Sequence, residues 1–293
     1  VGDLLQFLVR TPVQPRGKFI LGGVLTDLDG PAGGTCTATL TKPDGSAGPA
    51  SGTVTHVAAG IYSFTLAGPP DPIMYDIAWS GQIGGEPVTV TTQAEALGEL
   101  LFTLPELREL RVGNGQPFKD STVWGDERLL EARTATLEEF ERILWYAPVP
   151  RYGRAVRSGE GTSSLELPHY EASRILTATI DGAALSAEEL ADLHIHGRVL
   201  SRKTLGGWPA GVGNVTVTYV HGLPAPPGDG SNVAMLRAAM RLDPAAMSGA
   251  TSVVTPDGSS YQFDPAGQVT RAGQVRHFGV PAIDAWLNRW KVA

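Results

Sequence analysis

A chain of 293 residues and 30.9 kDa is too long for one small module and comfortable for two domains. Its 36 glycines and 22 prolines beside only 18% charged residues exclude a coiled coil, a collagen-like repeat and a bundle that is helical throughout; 42% hydrophobic residues still suffice for packed cores. A net charge of −7 argues against a broad basic face gripping nucleic acid, and no apolar run approaches the ~20 residues that a membrane-spanning helix needs.

In chain order, residues 1–98 read as all-β. Ile20-Leu21-Gly22-Gly23-Val24-Leu25 leads into the turn-rich Asp27-Leu28-Asp29-Gly30-Pro31, and a Thr-rich strand follows at Thr35–Thr41. Lys42-Pro43-Asp44-Gly45 is a turn, because proline presets φ and Asp-Gly supplies the bend. Thr53–Val57, Ile61–Leu66, Met74–Trp79 and Val88–Thr92 alternate as strands do. About seven strands at this spacing predict an immunoglobulin-like β-sandwich, though the paired cysteines of antibody domains are missing.

Residues 99–293 have a different texture. Helices are expected near 104–110, 126–146, 232–242 and 283–290, with a β region over 149–222. In the longest helix Leu130, Leu137 and Leu144 repeat every seven residues and Phe140 widens the stripe, which predicts a helical core. Strands are expected at Leu165–Leu167, Ile175–Ile180, Arg198–Leu200 and Asn214–Val220, and a hairpin turns at Thr255-Pro256-Asp257-Gly258. In the last helix Ile283, Trp286, Leu287 and Trp290 share one face. A helix that short is marginal alone and must dock, either on its own domain or on a partner, where tryptophan is enriched at hot spots. The fold class read here is α+β: the sandwich, then an α-helical core with an inserted β region.

Groups able to do chemistry are sparse. Cys36 is a lone cysteine on the strand alternation of Ala38 and Leu40, which reads as a small buried residue. His194 and His196 share one side of a strand but lack a third ligand, and His221 at a strand end reads as a turn donor. His56, His169 and His277 have no nucleophile pattern beside them. Asp27, Asp29 and Asp44 sit in turns that fail the spacing of a calcium loop. No nucleophile elbow, phosphate loop or His-Glu-x-x-His is found. A carbohydrate-active enzyme would need paired carboxylates, for which Glu166, Glu171 and Asp181 are not persuasively arranged. No catalytic residue, metal or cofactor is expected.

An ordered series of segments carries a resemblance: Leu165-Glu166-Leu167-Pro168-His169-Tyr170, Ile175–Gly182, Gly197–Leu200, Gly206-Gly207-Trp208-Pro209, Asn214–Gly222, Val233–Ala239, and the ending Gly279–Trp290. From about Leu104 to Trp290 the chain resembles the head-to-tail adaptor (connector) proteins of long-tailed bacteriophages; residues 1–98 lie outside that pattern. The resemblance implies a structural virion protein, a ring of twelve copies at the neck between the portal and the stopper or tail-completion protein, assembled in the host cytoplasm. Such a ring is a closed heterologous assembly. Genome DNA would pass through its lumen without sequence-specific binding, and no membrane is involved. On this view Leu130, Leu137, Phe140 and Leu144 form the helical core. Ile283, Trp286, Leu287 and Trp290 would anchor the C-terminal segment to the portal or a neighbouring subunit, so that a chain ending before Pro281 folds but fails to join. The N-terminal module would decorate the neck or touch capsid or tail. The alternative is a tail-tip or receptor-binding virion protein, which explains residues 1–98 better and residues 126–146 worse.

Overall fold

A computed structural model describes residues 4–203, 206–244, 247, 252–262, 278 and 280–291. The chain forms two compact units, Val1–Gly98 and Glu99–Ala293.

Unit 1 holds β1 (Leu4–Leu8), β2 (Arg16–Lys18), β3 (Ile20–Leu21), β4 (Val24–Leu25), β5 (Thr37–Thr41), β6 (Thr55–Ala58), β7 (Ile61–Ser63), β8 (Ile73–Ile83) and β9 (Glu86–Leu97). One sheet runs β1-β9-β8-β5, a second β2-β7-β6, and β3 pairs with β4 alone. The long β8–β9 hairpin pairs from Ile73↔Ala96 to Ile83↔Glu86. Its turn is held by the Asp29 carboxylate, which accepts from the backbone N–H groups of Gly84 and Gly85 at 2.9 and 2.7 Å. Alternation aims Tyr75, Ile77 and Trp79 of β8 into the core that the two sheets share, where Phe64 meets the Trp79 ring at 5.3 Å. Burying each such side chain contributes about 1.5–3 kcal/mol. The Trp79 indole N–H is satisfied by Thr92 Oγ1 at 2.9 Å, so the ring is buried at no polar cost.

Unit 2 begins with α1 (Leu104–Glu109), β10 (Arg111–Val112) and α2 (Asp126–Leu144). It continues with β11 (Arg151–Gly159), β12 (Ser164–Glu166), β13 (Ala172–Ile180), β14 (Ala183–Ala184), α3 (Ala187–Ala191), β15 (Leu193–His196), β16 (Val199–Arg202) and β17 (Gly211–His221). It closes with α4 (Gly230–Leu242), β18 (Ser252–Val254), β19 (Ser260–Gln262) and α5 (Pro281–Trp290). Capping starts the short helices: Thr103 with Glu106 at α1 and Ser186 with Glu189 at α3 form reciprocal capping boxes. Helix α2 carries Asp126 and Glu127 in its first turn and Arg142 in its last, as the helix dipole favours. It stops at Trp145, whose φ of 70° is left-handed. Glu139 of α2 ties α4 to it, accepting from Arg237 Nε and Nη2 at 2.9 and 2.8 Å.

The expected α-helical core with an inserted β region is overturned. Strands hold 38% and helices 22% of the described residues, in six sheets. Three of those sheets belong to unit 2: β11-β17-β13-β14, β12-β16-β15 and β10-β18-β19. The physical reason is that the β region buries a core of its own. Val215, Val217 and Tyr219 of β17 alternate inward onto Leu167, Ala178, Leu200 and Trp208, a cluster to which only the short α3 adds a helical residue, Leu190. The stripe on α2 is also displaced from its expected phase. Leu137, Phe140 and Leu144 are fully buried, but Leu129 rather than Leu130 completes the face, and Leu130 is half-buried.

Candidate functional site

The C-terminal face expected to meet a partner is occupied within its own unit. Ile283, Trp286 and Leu287 are buried and Trp290 is half-buried, as α5 packs on α2 and α4. The Trp286 ring lies 5.3 Å from that of Phe140, and its indole N–H donates to the Pro227 carbonyl at 3.0 Å. The Tyr146 hydroxyl donates to the Trp290 carbonyl at 2.7 Å. Helix α5 is thus the wedge that closes the helical layer, and a chain cut before Pro281 would expose apolar surface of α2 and α4. Removing this helix therefore acts on the fold of the unit itself as well as on any partner it would meet.

The histidines separate into two kinds. His194 and His196 are exposed on β15, and among the described residues no group of three metal-ligating side chains forms. His277 lies outside the described residues. His221 is not a turn donor. It is buried, with its ring stacked on His169 at 4.0 Å between centroids and 8° between planes. His169 Nδ1 shares a hydrogen bond of 2.7 Å with the Tyr219 hydroxyl. His221 Nδ1 has no hydrogen-bond partner among the described residues. Burial, then His169 and Arg151, push the His221 imidazole down to about 3, and burial lowers His169 as well. Neutral stacked rings brace β17 against the loop before β13. A sequence separation of 52 residues hides this pairing from any local motif.

The carboxylates singled out from sequence are likewise engaged. Asp27 accepts from the Gly60 N–H and pairs with His56, at 2.6 and 2.9 Å, and the Gly60 bond, then His56, holds its carboxyl below the ordinary range. Glu166 is ion-paired with Arg198. Glu171 and Asp181 are exposed at left-handed backbone positions, φ 55° and 49°; Asp181 forms with Gly182 the two-residue turn of the β13–β14 hairpin. Cys36 is buried and its thiol is pushed up to about 11 by that burial.

What stands out instead is apolar surface in the open. Among the described residues, four of the ten exposed large hydrophobics fall within six consecutive positions: Ile20 at 61%, Leu21 at 61%, Val24 at 66% and Leu25 at 40% exposure. Gly22 and Gly23, at φ 60° and 84°, make the turn that lets β3 and β4 pair as Ile20↔Leu25 and Leu21↔Val24. Because successive side chains on a strand alternate, this hairpin is apolar on both faces. Its base is anchored: Phe19 is buried edge-on against Tyr62, and the Thr26 N–H donates to the Phe19 carbonyl at 2.9 Å. In unit 2 the two most exposed large hydrophobics among the described residues are Val212, 98% exposed at the start of β17, and Trp145, 64% exposed just past α2, followed by Val123 at 59%. Sequence reasoning missed Trp145 as an exposed aromatic; its place one residue past the Leu137–Leu144 stripe is the signal that marks it.

No family model matches the sequence, and no curated protein matches it. Among solved structures, the chain is similar to the crystal structure of a DUF4785 family protein from Legionella pneumophila, at 9% identity and a TM-score of 0.23. The match covers 75% of this chain and 46% of that one, so this chain spans less than half of that protein's length. A superposition so loose establishes neither a shared fold nor a shared role.

Proposed function

We propose that this chain is a structural virion protein: a head-to-tail adaptor whose copies form a ring between the portal and the stopper or tail of a long-tailed bacteriophage, with the genome passing through the lumen. The observation that carries the reading is the anchored β3–β4 hairpin, apolar on both faces and exposed. Exposed apolar patches of this kind mark protein contacts, and an exposed hairpin suits contact with a neighbouring ring. In a heterologous ring each subunit offers one face to a different face of the next, so exposed apolar groups in each unit, here the hairpin in unit 1 and Trp145 and Val212 in unit 2, suit such assembly. The ordered segments from Leu165 to Ala239 add the resemblance. The acidic balance, net −4 over residues 1–98 and −3 over residues 99–293, suits a channel that lets DNA slide instead of holding it.

On this reading the contact with portal or neighbour falls to Trp145 and the exposed strand ends, since the α5 face serves the core. The N-terminal unit meets capsid or tail through its hairpin, and the role is structural, not catalytic. Electron microscopy of the purified chain, alone and mixed with portal rings, tests the proposal. Rings with a central channel are expected, and a chain that stays monomeric with portal present would overturn it. The same hairpin also suits a tail-tip or receptor-binding protein. That reading is favoured instead if the fluorescently labelled chain stains host cells and ignores portal.

A further inference from the structure

In unit 2 a cleft of about 790 Å³ opens between α1, the β10 segment and the turn after β18. Its cationic lining is unlike the chain as a whole. Arg108, Arg111 and Lys119 face it against a single acid, Glu109, in a protein of net charge −7. Arg108 is committed to the fold, donating to the carbonyls of Phe118 and Trp124, both at 2.9 Å, and to Asp126 at 2.6 Å. Arg111 and Lys119 are different. Both are exposed, and neither side chain has an ion-pair or hydrogen-bond partner among the described residues. Pro105, Val254 and Pro256 supply apolar wall.

We propose that this cleft binds an acidic, extended peptide segment of a protein partner, its carboxylates on Arg111 and Lys119 and its apolar stems against the prolines. The dimensions and charge select that ligand class. A volume within the ~300–1,000 Å³ range of binding clefts is far more than one tetrahedral anion fills. Two free cations release too few counterions to grip a duplex, and the surrounding negative charge repels one. A short peptide carries its carboxylates at lower charge density than a duplex carries phosphates, so it meets less of that repulsion, and complementary charge at Arg111 and Lys119 steers the encounter.

The test uses the full-length chain and a fluorescein-labelled hexaglutamate peptide, read by anisotropy. Binding is expected at low salt, weakening roughly fivefold as ionic strength rises to about 0.2 M. The double variant Arg111→Glu with Lys119→Glu should lose at least about tenfold in affinity, one decade being about 1.4 kcal/mol. Arg142→Glu with Lys203→Glu makes the same change in net charge at exposed sites elsewhere and should bind as the parent does. Should the first variant melt early, Lys119→Glu alone, in the loop after β10, carries the comparison. Absence of binding at low salt overturns the proposal, as does equal loss in both double variants. Displacement of the peptide by inorganic phosphate at matched charge, or preferential binding of a short DNA duplex, overturns it too.

Discussion

At the scale of single residues, the stacked His169–His221 pair sets a measurable pH response. An unfolded imidazole titrates near 6.5, whereas burial holds folded His221 at about 3. Between those values the unfolded chain binds the extra proton, so acid pulls the equilibrium toward unfolding. This contribution is complete above about pH 6.5 and is lost as pH falls toward 3, by about 1.4 kcal/mol per pH unit for one proton. The groups around the pair are Tyr219 on β17, Glu141 on α2, and Arg151 and Arg157 on β11. Glu141 alone among them favours protonation of His169. Urea midpoints for unit 2 should be flat above pH 7 and fall between pH 6.5 and 5. The paired change His169→Phe and His221→Phe should abolish that fall, and an unaltered fall would refute the assignment. Gly153 belongs to the same site. A Cβ there would lie 2.7 Å from the Tyr219 ring and 3.0 Å from His221, so Gly153→Ala should cost about 1–3 kcal/mol in equilibrium unfolding.

At the scale of elements, α5 is the part whose removal is best defined. Trp286→Ala empties a space against Phe140 and orphans the Pro227 carbonyl, so a loss of about 3–5 kcal/mol is expected for unit 2 by denaturant titration. Cutting the chain before Pro281 should abolish cooperative unfolding of that unit while unit 1 still melts as a unit. This docking was half legible in the sequence. The spacing of Ile283, Trp286 and Leu287 shows a helix that must be covered, but local spacing does not say by what. On α2 the heptad of leucines selects Leu130, yet the buried arc includes Ala132, Arg133 and Thr136, and the true face is set by the helices packed on it. Strand β11 was illegible because its inward positions are the small Gly153, held so by the Tyr219 and His221 rings, and Ala155, while Arg154 and Arg157 read as loop. Strand β1 hid for another reason: buried Gln6 bonds buried Glu95 at 2.9 Å, which breaks the apolar alternation. The β3–β4 hairpin was readable as strand and turn, whereas its exposure on both faces depends on what fails to cover it.

At the scale of the whole molecule, stability and assembly should separate by mutation. Replacing Ile20, Leu21 and Val24 by Ser removes apolar surface that the unit does not bury, so its melting should shift by no more than about 0.5 kcal/mol per site. Association with capsid, tail or neighbouring subunits, followed by sedimentation, should drop sharply. Trp145→Ala should act in the same way from unit 2. Equal loss of fold and association would mean that these side chains serve the core after all. Unit 1 has one further property, which follows from how its sheet closes. Strand β1 lies parallel to β9, in register from Leu4↔Gln93 to Leu8↔Leu97. A tension applied between the unit's entry at Leu4 and its exit at Leu97 therefore draws the two strands past each other along their length. All of the rungs share the load at once, where an antiparallel hairpin pulled at its open end would give way rung by rung. A single-molecule pull across these two residues should meet the high, abrupt rupture of a sheared lattice, the response of a tether built to stay shut under strain.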